Sequence, residues 1–179
     1  MSTYIALLRA INVGGLSVKM AALRESLAAL KYDPITTYLQ SGNVVFGARK
    51  ASPTALRSAI ERRLAEDFGS SIRVLVLPAS SMAKVAKENP FLAEKGVDAT
   101  KCHVTWLFDP PSKAAFEKLA AIPRGPDRYH VNGAWLYLHC PEGYGNSKLA
   151  NPNLERALGV KATTRNWNTV TALMEMLAD

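Results

Sequence analysis

The sequence is poor in the residues that mark several specialised classes of protein. Among 179 residues it has two cysteines, three histidines and 8% aromatic residues. Disulfide-stabilised secreted domains and Cys/His metal sites need more of these side chains at closer spacing. No apolar run approaches the ~18 residues of a membrane span, and the run at residues 4–8 ends at Arg9, too early for a secretory leader. We therefore expect a cytoplasmic protein with no membrane segment.

Glycine and proline occur at ordinary frequencies, with 11 and 10 residues. Fibrous and disordered chains are enriched in one or both and are depleted in apolar residues. Here 48% of the residues are hydrophobic. A chain of this length buries roughly 70% of its unfolded surface. The composition therefore predicts a folded chain whose core needs neither a disulfide nor a metal ion.

Each cysteine is next to a histidine, in Cys102-His103 and His139-Cys140. Neighbouring residues of a strand point to opposite faces, so neither pair presents both groups to one metal ion. No Cys-x-x-Cys or His-x-x-x-His pair completes a metal site. The sequence predicts buried free thiols, structural histidines, and no metal or cofactor.

The net charge of +7 invites acidic partners, but its distribution weakens that interpretation. Residues 1–77 hold ten basic and five acidic side chains, and the rest of the chain is closer to balance. No run of five or six like charges marks a nucleic-acid tail. Four cations in or beside a predicted helix could face a polyanion, although a solvated helix face is the favoured explanation: Lys50, Arg57, Arg62 and Arg63.

Hydrophobic periodicity predicts a βαββαβ order in the first half of the chain. Apolar residues recur at helical spacing over residues 20–30 and again over residues 56–64. Ser52 is suited to cap the start of the second helix, and Gly69 to end it. Short apolar runs predict strands at residues 4–8, 35–40, 43–46 and 72–77, with a tight turn at Ser41-Gly42-Asn43.

The second half repeats much of this order. Pro110-Pro111-Ser112 opens a predicted helix, and Asn132-Gly133 suits a type I′ turn between two strands. Thr164 or Asn166 is a natural N-cap for the last helix, in which Trp167 serves as an aromatic anchor. The remaining predicted elements are a helix at 81–87, strands at 102–108, 127–131 and 134–139, a helix ending at Gly159, and a final helix with Val170, Leu173 and Leu177 on its buried face.

The predicted fold class is therefore α+β. We expect two tandem ferredoxin-like halves of the βαββα type, at residues 1–78 and 79–179. No segment rich in proline, glycine or serine lies between them, so we expect no flexible linker. The two halves are expected to pack as one compact body.

Four segments carry more uncharged polar groups than strands and turns require. They occupy residues 7–15, 38–46, 144–149 and 163–170. Amides and hydroxyls dominate these segments, and carboxylates and histidines are absent from them. The candidate ligand-binding residues in them are Arg9, Asn12, Gln40, Ser41, Asn43, Ser147, Lys148, Arg165, Asn166, Asn168 and Thr169.

This set suits hydrogen bonding to a neutral or anionic partner, because amides donate and accept while Arg and Lys supply charge. It suits general acid or base catalysis poorly, since those steps need His, Asp, Glu or a tuned Lys. Structural explanations compete at every segment. Gly14-Gly15 matches no phosphate-loop spacing, and Ser41-Gly42-Asn43 has the composition of a hairpin turn.

In combination, the four segments resemble a known family. YIALLRAINVGG, TYLQSGNVVF, GYGNSKL and TTRNWNTV stand in the order and spacing of the bacterial domain-of-unknown-function family 1697. Ala10 stands where glycine is common in that family, and Ala172 where lysine is frequent. The resemblance covers essentially the whole chain. It implies a single-body α+β protein of two ferredoxin-like halves, and it implies no activity, substrate or cofactor.

The leading hypothesis is a binding module for an anionic or nucleotide-like small ligand, held where the polar segments converge. One alternative is a transferase or hydrolase acting on a phosphorylated or nucleotide-like substrate, with Ser147 or Lys148 as the reactive group. Another is a weak nucleic-acid binder that uses the basic first half and Trp167. A scaffold whose polar segments only satisfy turns and caps is the fourth. The oligomeric state is left open.

Overall fold

The computed structural model describes residues 1–178, which contain six α-helices and eight strands. The chain divides into two units. The first comprises Met1–Ala86 together with the C-terminal residues from Ala172 onward, and the second comprises Lys87–Thr171. Each unit contains one four-stranded antiparallel sheet. The predicted boundary after residue 78 and the packing of the two halves as one body stay predictions.

The first unit has the βαββαβ order predicted from its sequence. Its elements are β1 (Ser2–Leu8), α1 (Met20–Ala28), β2 (Ile35–Tyr38), β3 (Asn43–Ala48), α2 (Pro53–Phe68) and β4 (Val74–Pro78), followed by α3 (Ala79–Lys87). The strand order is β2-β3-β1-β4, and every neighbouring pair is antiparallel. The order of helices and strands required by the ferredoxin-like prediction is therefore present.

The core of the first unit joins β1 and β3 to the apolar faces of α1 and α2. Leu23 and Leu27 of α1 and Ile60 and Leu64 of α2 are fully buried, and they belong to one cluster with Phe46. Their spacing of four residues places each pair on one face of its helix, as the periodicity predicted. The polar loops at residues 9–19 and 39–42 connect strands and helices of this packed core.

Helix α2 begins and ends where the sequence predicted. The Ser52 hydroxyl accepts a hydrogen bond from the backbone N–H of Ala55 at 3.2 Å. Gly69 ends the helix with φ of +63°, a left-handed conformation that costs glycine little. Ser112 caps the first helix of the second unit in the same way, accepting from Ala115 at 3.2 Å.

The second unit repeats the order of the first. Its elements are β5 (Cys102–Leu107), α4 (Lys113–Ala120), β6 (Arg128–Asn132), β7 (Trp135–His139), α5 (Asn151–Leu158) and β8 (Ala162–Asn166), and α6 (Trp167–Ala178) follows. The strand order β6-β7-β5-β8 is equivalent to that of the first sheet. The chain leaves this unit within α6. The two halves are therefore similar, as the sequence predicted.

Strand β8 was not predicted. The sequence favoured a helix start in this region, whereas residues Ala162–Asn166 pair with β5 along their whole length. The Thr164 hydroxyl lies 2.8 Å from that of Thr105 on β5, and this side-chain bond replaces the apolar contact of a typical strand. Asn166 then caps α6, because its Oδ1 accepts from the backbone N–H of Thr169 at 2.9 Å. Of the two predicted caps, Asn166 is the one confirmed.

The turns of both hairpins differ from the predicted turns. In the first unit Tyr38 pairs with Asn43, so the loop has four residues, and positive φ falls at Leu39 and Gly42. In the second unit Asn132 pairs with Trp135, so the turn lies one residue later than predicted. Asparagine tolerates the positive φ of a tight turn. Asn43 and Asn132 instead pair with the neighbouring strand, and neither has a positive φ.

None of the helices over residues 1–178 is long and apolar enough to cross a membrane. In the same residues, no group of three or more His, Cys, Asp or Glu side chains is arranged to hold a metal ion.

Candidate functional site

Asn12 holds together the two polar loops of the first unit. Its Nδ2 donates to the carbonyl oxygens of Gln40 at 2.7 Å and Val18 at 3.0 Å, and its Oδ1 accepts from the Val18 N–H at 2.8 Å. Both amide hydrogens are therefore used within the chain. Asn12 brings the residue 9–19 loop against the residue 39–42 loop, as the hypothesis of neighbouring segments requires for this unit.

Asn43 fixes the hairpin in a similar way. It is fully buried, and its Nδ2 donates to the carbonyl oxygen of Tyr38 and to the hydroxyl of Ser41, each at 2.9 Å. Both amide hydrogens of Asn43 are therefore also used in hydrogen bonds within the hairpin. Asn43 and Ser41 therefore stabilise the hairpin, which agrees with the structural explanation given for this segment.

The cavity beside these loops contains no charged side chain. It measures about 390 Å³, and its lining residues are Asn12, Gly14, Gly15, Leu16, Ser17 and Gln40. The Gln40 side chain is exposed, and Arg9 is half-buried with its backbone N–H bonded to the Arg73 carbonyl at 2.9 Å. Without a cation in its lining, this cavity is poorly matched to an anionic ligand.

Ala10 provides a test of the strain in this loop. It is exposed and has φ of +58°, a left-handed conformation that costs a residue with a Cβ about 1–2 kcal/mol. We expect Ala10→Gly to raise the free energy of unfolding by about 1 kcal/mol, after the extra backbone entropy of glycine is subtracted. Urea denaturation monitored by circular dichroism measures this change.

Ala29 is the matched control for this substitution. It is also exposed, but it ends α1 in the right-handed conformation with φ of −63°. Ala29→Gly relieves no strain and is expected to lower stability by roughly 0.5–1 kcal/mol. If both glycine variants change stability in the same direction, left-handed strain at Ala10 is not the cause.

In the second unit, Ser147 lies inside a hydrogen-bonded cluster. Its hydroxyl donates to Oδ2 of Asp127 at 2.5 Å and accepts from the backbone N–H of Leu149 at 2.9 Å. The Cys140 thiol also donates to it at 3.5 Å. Ser147 is 6% exposed and Asp127 is 7% exposed. The cluster orders the loop between β7 and α5, and it leaves the hydroxyl little access to an external substrate.

The residues at the end of β8 are similarly used by the fold. Arg165 is buried, and its Nη1 donates to Thr163 Oγ1 at 2.8 Å and to the Thr164 carbonyl at 2.9 Å. Burial lowers the pKa of Arg165 to about 10, so the side chain keeps its charge at neutral pH. Thr169 is buried, whereas the Asn168 side chain is exposed.

The two cysteines are free and buried, as predicted. Burial raises the pKa of Cys102 to about 11 and raises that of Cys140, so both stay protonated thiols at neutral pH. Burial also lowers the pKa of His103, whose ring stacks on Tyr144 with centroids 4.5 Å apart. The raised pKa values of Cys102 and Cys140 give no support for thiolate chemistry at neutral pH.

A basic cavity lies beside helices α4 and α5 of the second unit. It measures about 390 Å³, and three cations contribute to its lining: Lys118 on α4, Arg156 on α5 and Lys148 on the loop that precedes α5. The other lining residues are Ile122, Asn153 and Ala157, so no carboxylate lines it. All three cations are exposed. In the structure of residues 1–178 none of them forms an ion pair within 4 Å.

Of the predicted residues, Lys148 is the one that lines this basic cavity. Sequence reasoning missed Lys118, Asn153 and Arg156. The two helices that carry them were predicted, but a helix pattern alone does not show which polar residues of two helices face a common space. Leu119 beside Lys118, and Leu154 with Leu158 around Arg156, belong to one buried cluster and bring those helices together. That packing was the missing information. Whether the polar segments of both halves share one site stays a prediction.

Comparison with known proteins identifies the family and the fold. A search of curated proteins found no match. The solved structure of the conserved bacterial protein SP0830 from Streptococcus pneumoniae is similar, with a TM-score of 0.80 and 19% sequence identity. The match covers 100% of this chain and 99% of that one. At this identity the likeness shows the fold and carries no function.

A family described as "Protein of unknown function (DUF1697)" matches residues 1–137. Two of the four polar segments, residues 7–15 and 38–46, lie inside the matched range, and the other two lie beyond it. The family resemblance found in the sequence is thereby confirmed, and the chain belongs to the DUF1697 family of proteins of unknown function.

Proposed function

We propose that this protein is a binding module for an anionic small ligand and that the ligand is held in the basic cavity. The observation that carries the proposal is the convergence of Lys118, Lys148 and Arg156 on one cavity without a carboxylate in its lining. Like charges placed together repel, and an anion that enters relieves the repulsion of all three. The amide of Asn153 adds a donor that can bond a phosphate or carboxylate oxygen.

The volume of the basic cavity and the types of cation that line it favour a small charged group. A cavity of about 390 Å³ lies at the lower end of the volumes that hold small molecules. Two lysines act as mobile point charges, and one arginine offers a planar fork for two oxygens. Because all three side chains are exposed, their attraction for an anion is screened by salt. Binding is therefore expected to weaken as ionic strength rises.

A ligand titration tests this proposal. Inorganic phosphate, pyrophosphate, ribose 5-phosphate and small dicarboxylates are to be screened by thermal shift, because a ligand at about 100 times its Kd stabilises a fold by roughly 2.7 kcal/mol. We expect at least one phosphorylated compound to bind. Lys118→Gln and Arg156→Gln are each expected to weaken its binding about five- to tenfold, which isothermal titration calorimetry measures.

Lys113→Gln is the matched control. Lys113 is exposed on the same helix as Lys118, but it does not line the basic cavity. The Lys113→Gln substitution removes the same charge as Lys118→Gln. If the effect on binding were only a nonspecific electrostatic one, both substitutions would weaken binding equally. Equal effects of the two lysine variants, or no stabilisation by any anion, would contradict the proposal.

No specific observation favours the two other predicted functions. The hydroxyl of Ser147 is buried and bonded to Asp127, so an enzyme that uses it as a nucleophile gains no support from the geometry. The enzyme and the weak nucleic-acid binder stay predictions. We place the protein in the cytoplasm, where a reducing environment keeps thiols such as Cys102 and Cys140 free.

A further inference from the structure

A second cavity in the second unit is larger than the basic cavity and differs from it chemically. It measures about 680 Å³, a volume typical of sites for drug-sized ligands. We call it the aromatic cavity, and its lining residues are Pro90, Phe91, Glu94, Ile122, Pro123, Arg124, Gly125, Asp127, Arg128, Tyr129 and His130. Its two arginines are balanced by two carboxylates. It therefore suits an uncharged part of a ligand better than a phosphate.

One wall of the aromatic cavity contains an arginine that lies over an aromatic ring. The Cζ atom of Arg128 lies 4.9 Å from the centroid of the Phe91 ring. Its Nη1 lies 2.9 Å from Oε2 and 3.1 Å from Oε1 of Glu94, and its Nη2 lies 3.2 Å from Nδ1 of His139. Bonds to the edge of the guanidinium restrict its rotation. The plane of Arg128 is thus held beside an aromatic ring.

A second pair of this kind lines the same cavity. The Cζ atom of Arg124 lies 5.1 Å from the centroid of the Tyr129 ring. Its Nη1 donates to the carbonyl oxygen of Ala120 at 3.2 Å, at the end of α4. Two planar cations are therefore each paired with an aromatic ring around one space. Guanidinium and aromatic planes are the surfaces on which proteins stack nucleobases.

The aromatic cavity adjoins the basic cavity. Ile122 lines both, so its side chain forms a common wall between them. The aromatic cavity has balanced charges and matches the uncharged planar base of a nucleotide. The basic cavity has three cations and matches the anionic phosphate. Each cavity alone fits many ligands, whereas a neutral cavity and a basic cavity that share Ile122 fit fewer.

We infer that the ligand is a nucleoside phosphate whose base occupies the aromatic cavity and whose phosphate lies on Lys118, Lys148 and Arg156. This inference rests on the proposed function, because it assigns the phosphate to the basic cavity. It adds a base-recognition site formed by Arg124, Arg128 and Tyr129, with the buried Phe91 ring supporting Arg128. These residues lie outside the four polar segments that the sequence singled out.

The test compares ligands with and without a base. Adenosine, guanosine, cytidine and uridine 5′-monophosphates and 5′-diphosphates are titrated calorimetrically against ribose 5-phosphate. We expect at least one nucleotide to bind ten times or more tightly than ribose 5-phosphate. Tyr129→Leu, which keeps an apolar side chain but removes the ring, is expected to weaken nucleotide binding about tenfold and to change ribose 5-phosphate binding less than twofold.

Two further variants make this test specific. Tyr38→Leu removes a half-buried tyrosine from the first unit and is expected to leave both affinities unchanged. Arg124→Lys keeps the positive charge and loses the planar fork, so it is expected to weaken nucleotide binding several-fold. It also provides the same readout if circular dichroism shows that Tyr129→Leu fails to fold, because Arg124→Lys leaves the Tyr129 ring packed against the core of the second unit.

The outcomes separate the inference from the proposed function. If nucleotides bind no better than ribose 5-phosphate, or if Tyr129→Leu and Arg124→Lys leave nucleotide binding unchanged, the inference is overturned. The proposed function survives that result provided that Lys118→Gln still weakens ribose 5-phosphate binding. If Lys118→Gln has no effect on any anion, both fail. Binding of single-stranded RNA more than tenfold tighter than any mononucleotide overturns the inference in favour of a polymer.

Discussion

Gly42→Ala is expected to lower the free energy of unfolding by about 3 kcal/mol. A Cβ at this position would lie 2.7 Å from Cβ of Leu8 and 2.8 Å from Cδ1 of Ile11, both of which are buried in the core of the first unit. Overpacking of this kind costs roughly 1–3 kcal/mol. The φ of +76° adds about 1–2 kcal/mol of strain. The shift of the urea midpoint, monitored by far-UV circular dichroism, measures the loss.

Gly69→Ala separates the two contributions to this loss. Gly69 has a similar φ of +63°, but a Cβ there would meet no atom within 4 Å. Its replacement is expected to cost only the conformational part, about 1 kcal/mol. If the two alanine variants are equally stable, the close packing of Gly42 against Leu8 and Ile11 makes no measurable contribution to the free energy of unfolding.

Ser147→Ala is expected to destabilise the protein by about 2–3 kcal/mol. The change leaves the buried carboxylate of Asp127 without its hydrogen bond of 2.5 Å and the N–H of Leu149 without its acceptor. Buried polar groups that lose their partners cost about 1–3 kcal/mol each. Thermal and urea denaturation measure the loss, and ligand titration measures any change of affinity at the basic cavity.

Ser52→Ala is the comparison for this substitution. The Ser52 hydroxyl accepts a hydrogen bond from one backbone N–H, and Ser52 is exposed at the start of α2. Loss of an N-cap of this kind typically costs ~1 kcal/mol. If Ser147→Ala costs no more than Ser52→Ala and yet abolishes a measurable turnover, Ser147 acts as a reactive group and the structural role assigned to it is wrong.

The local parts of the fold could be predicted because they depend on nearby residues. Ser52 and Gly69 mark the two ends of α2, and short apolar runs predict the strands of the first unit. Strand β8 escaped prediction because four of its five residues are polar, and their hydroxyl and guanidinium groups bond within the sheet. Its pairing with β5 spans about sixty residues of sequence, a separation that no local pattern encodes.

The candidate site shows a different limit of sequence reasoning. Asn12, Asn43 and Ser147 stand out in the sequence because they are polar where the chain turns, and the structure shows that their hydrogen bonds organise those turns. Two cations of the basic cavity, Lys118 and Arg156, are by contrast ordinary surface residues of predicted helices. Only the packing of α4 beside α5 brings Lys118 and Arg156 to one cavity, so composition and spacing could not select them.

The division of the chain into units also sets an order for its biosynthesis. The second unit is continuous, so every residue of it has been polymerised when Thr171 is added. The first unit includes residues from Ala172 onward, so it is complete only after residues that follow the second unit in the sequence have been added. Nascent multidomain chains generally fold from the N-terminus. Here the half that leaves the ribosome first is the half that is finished last.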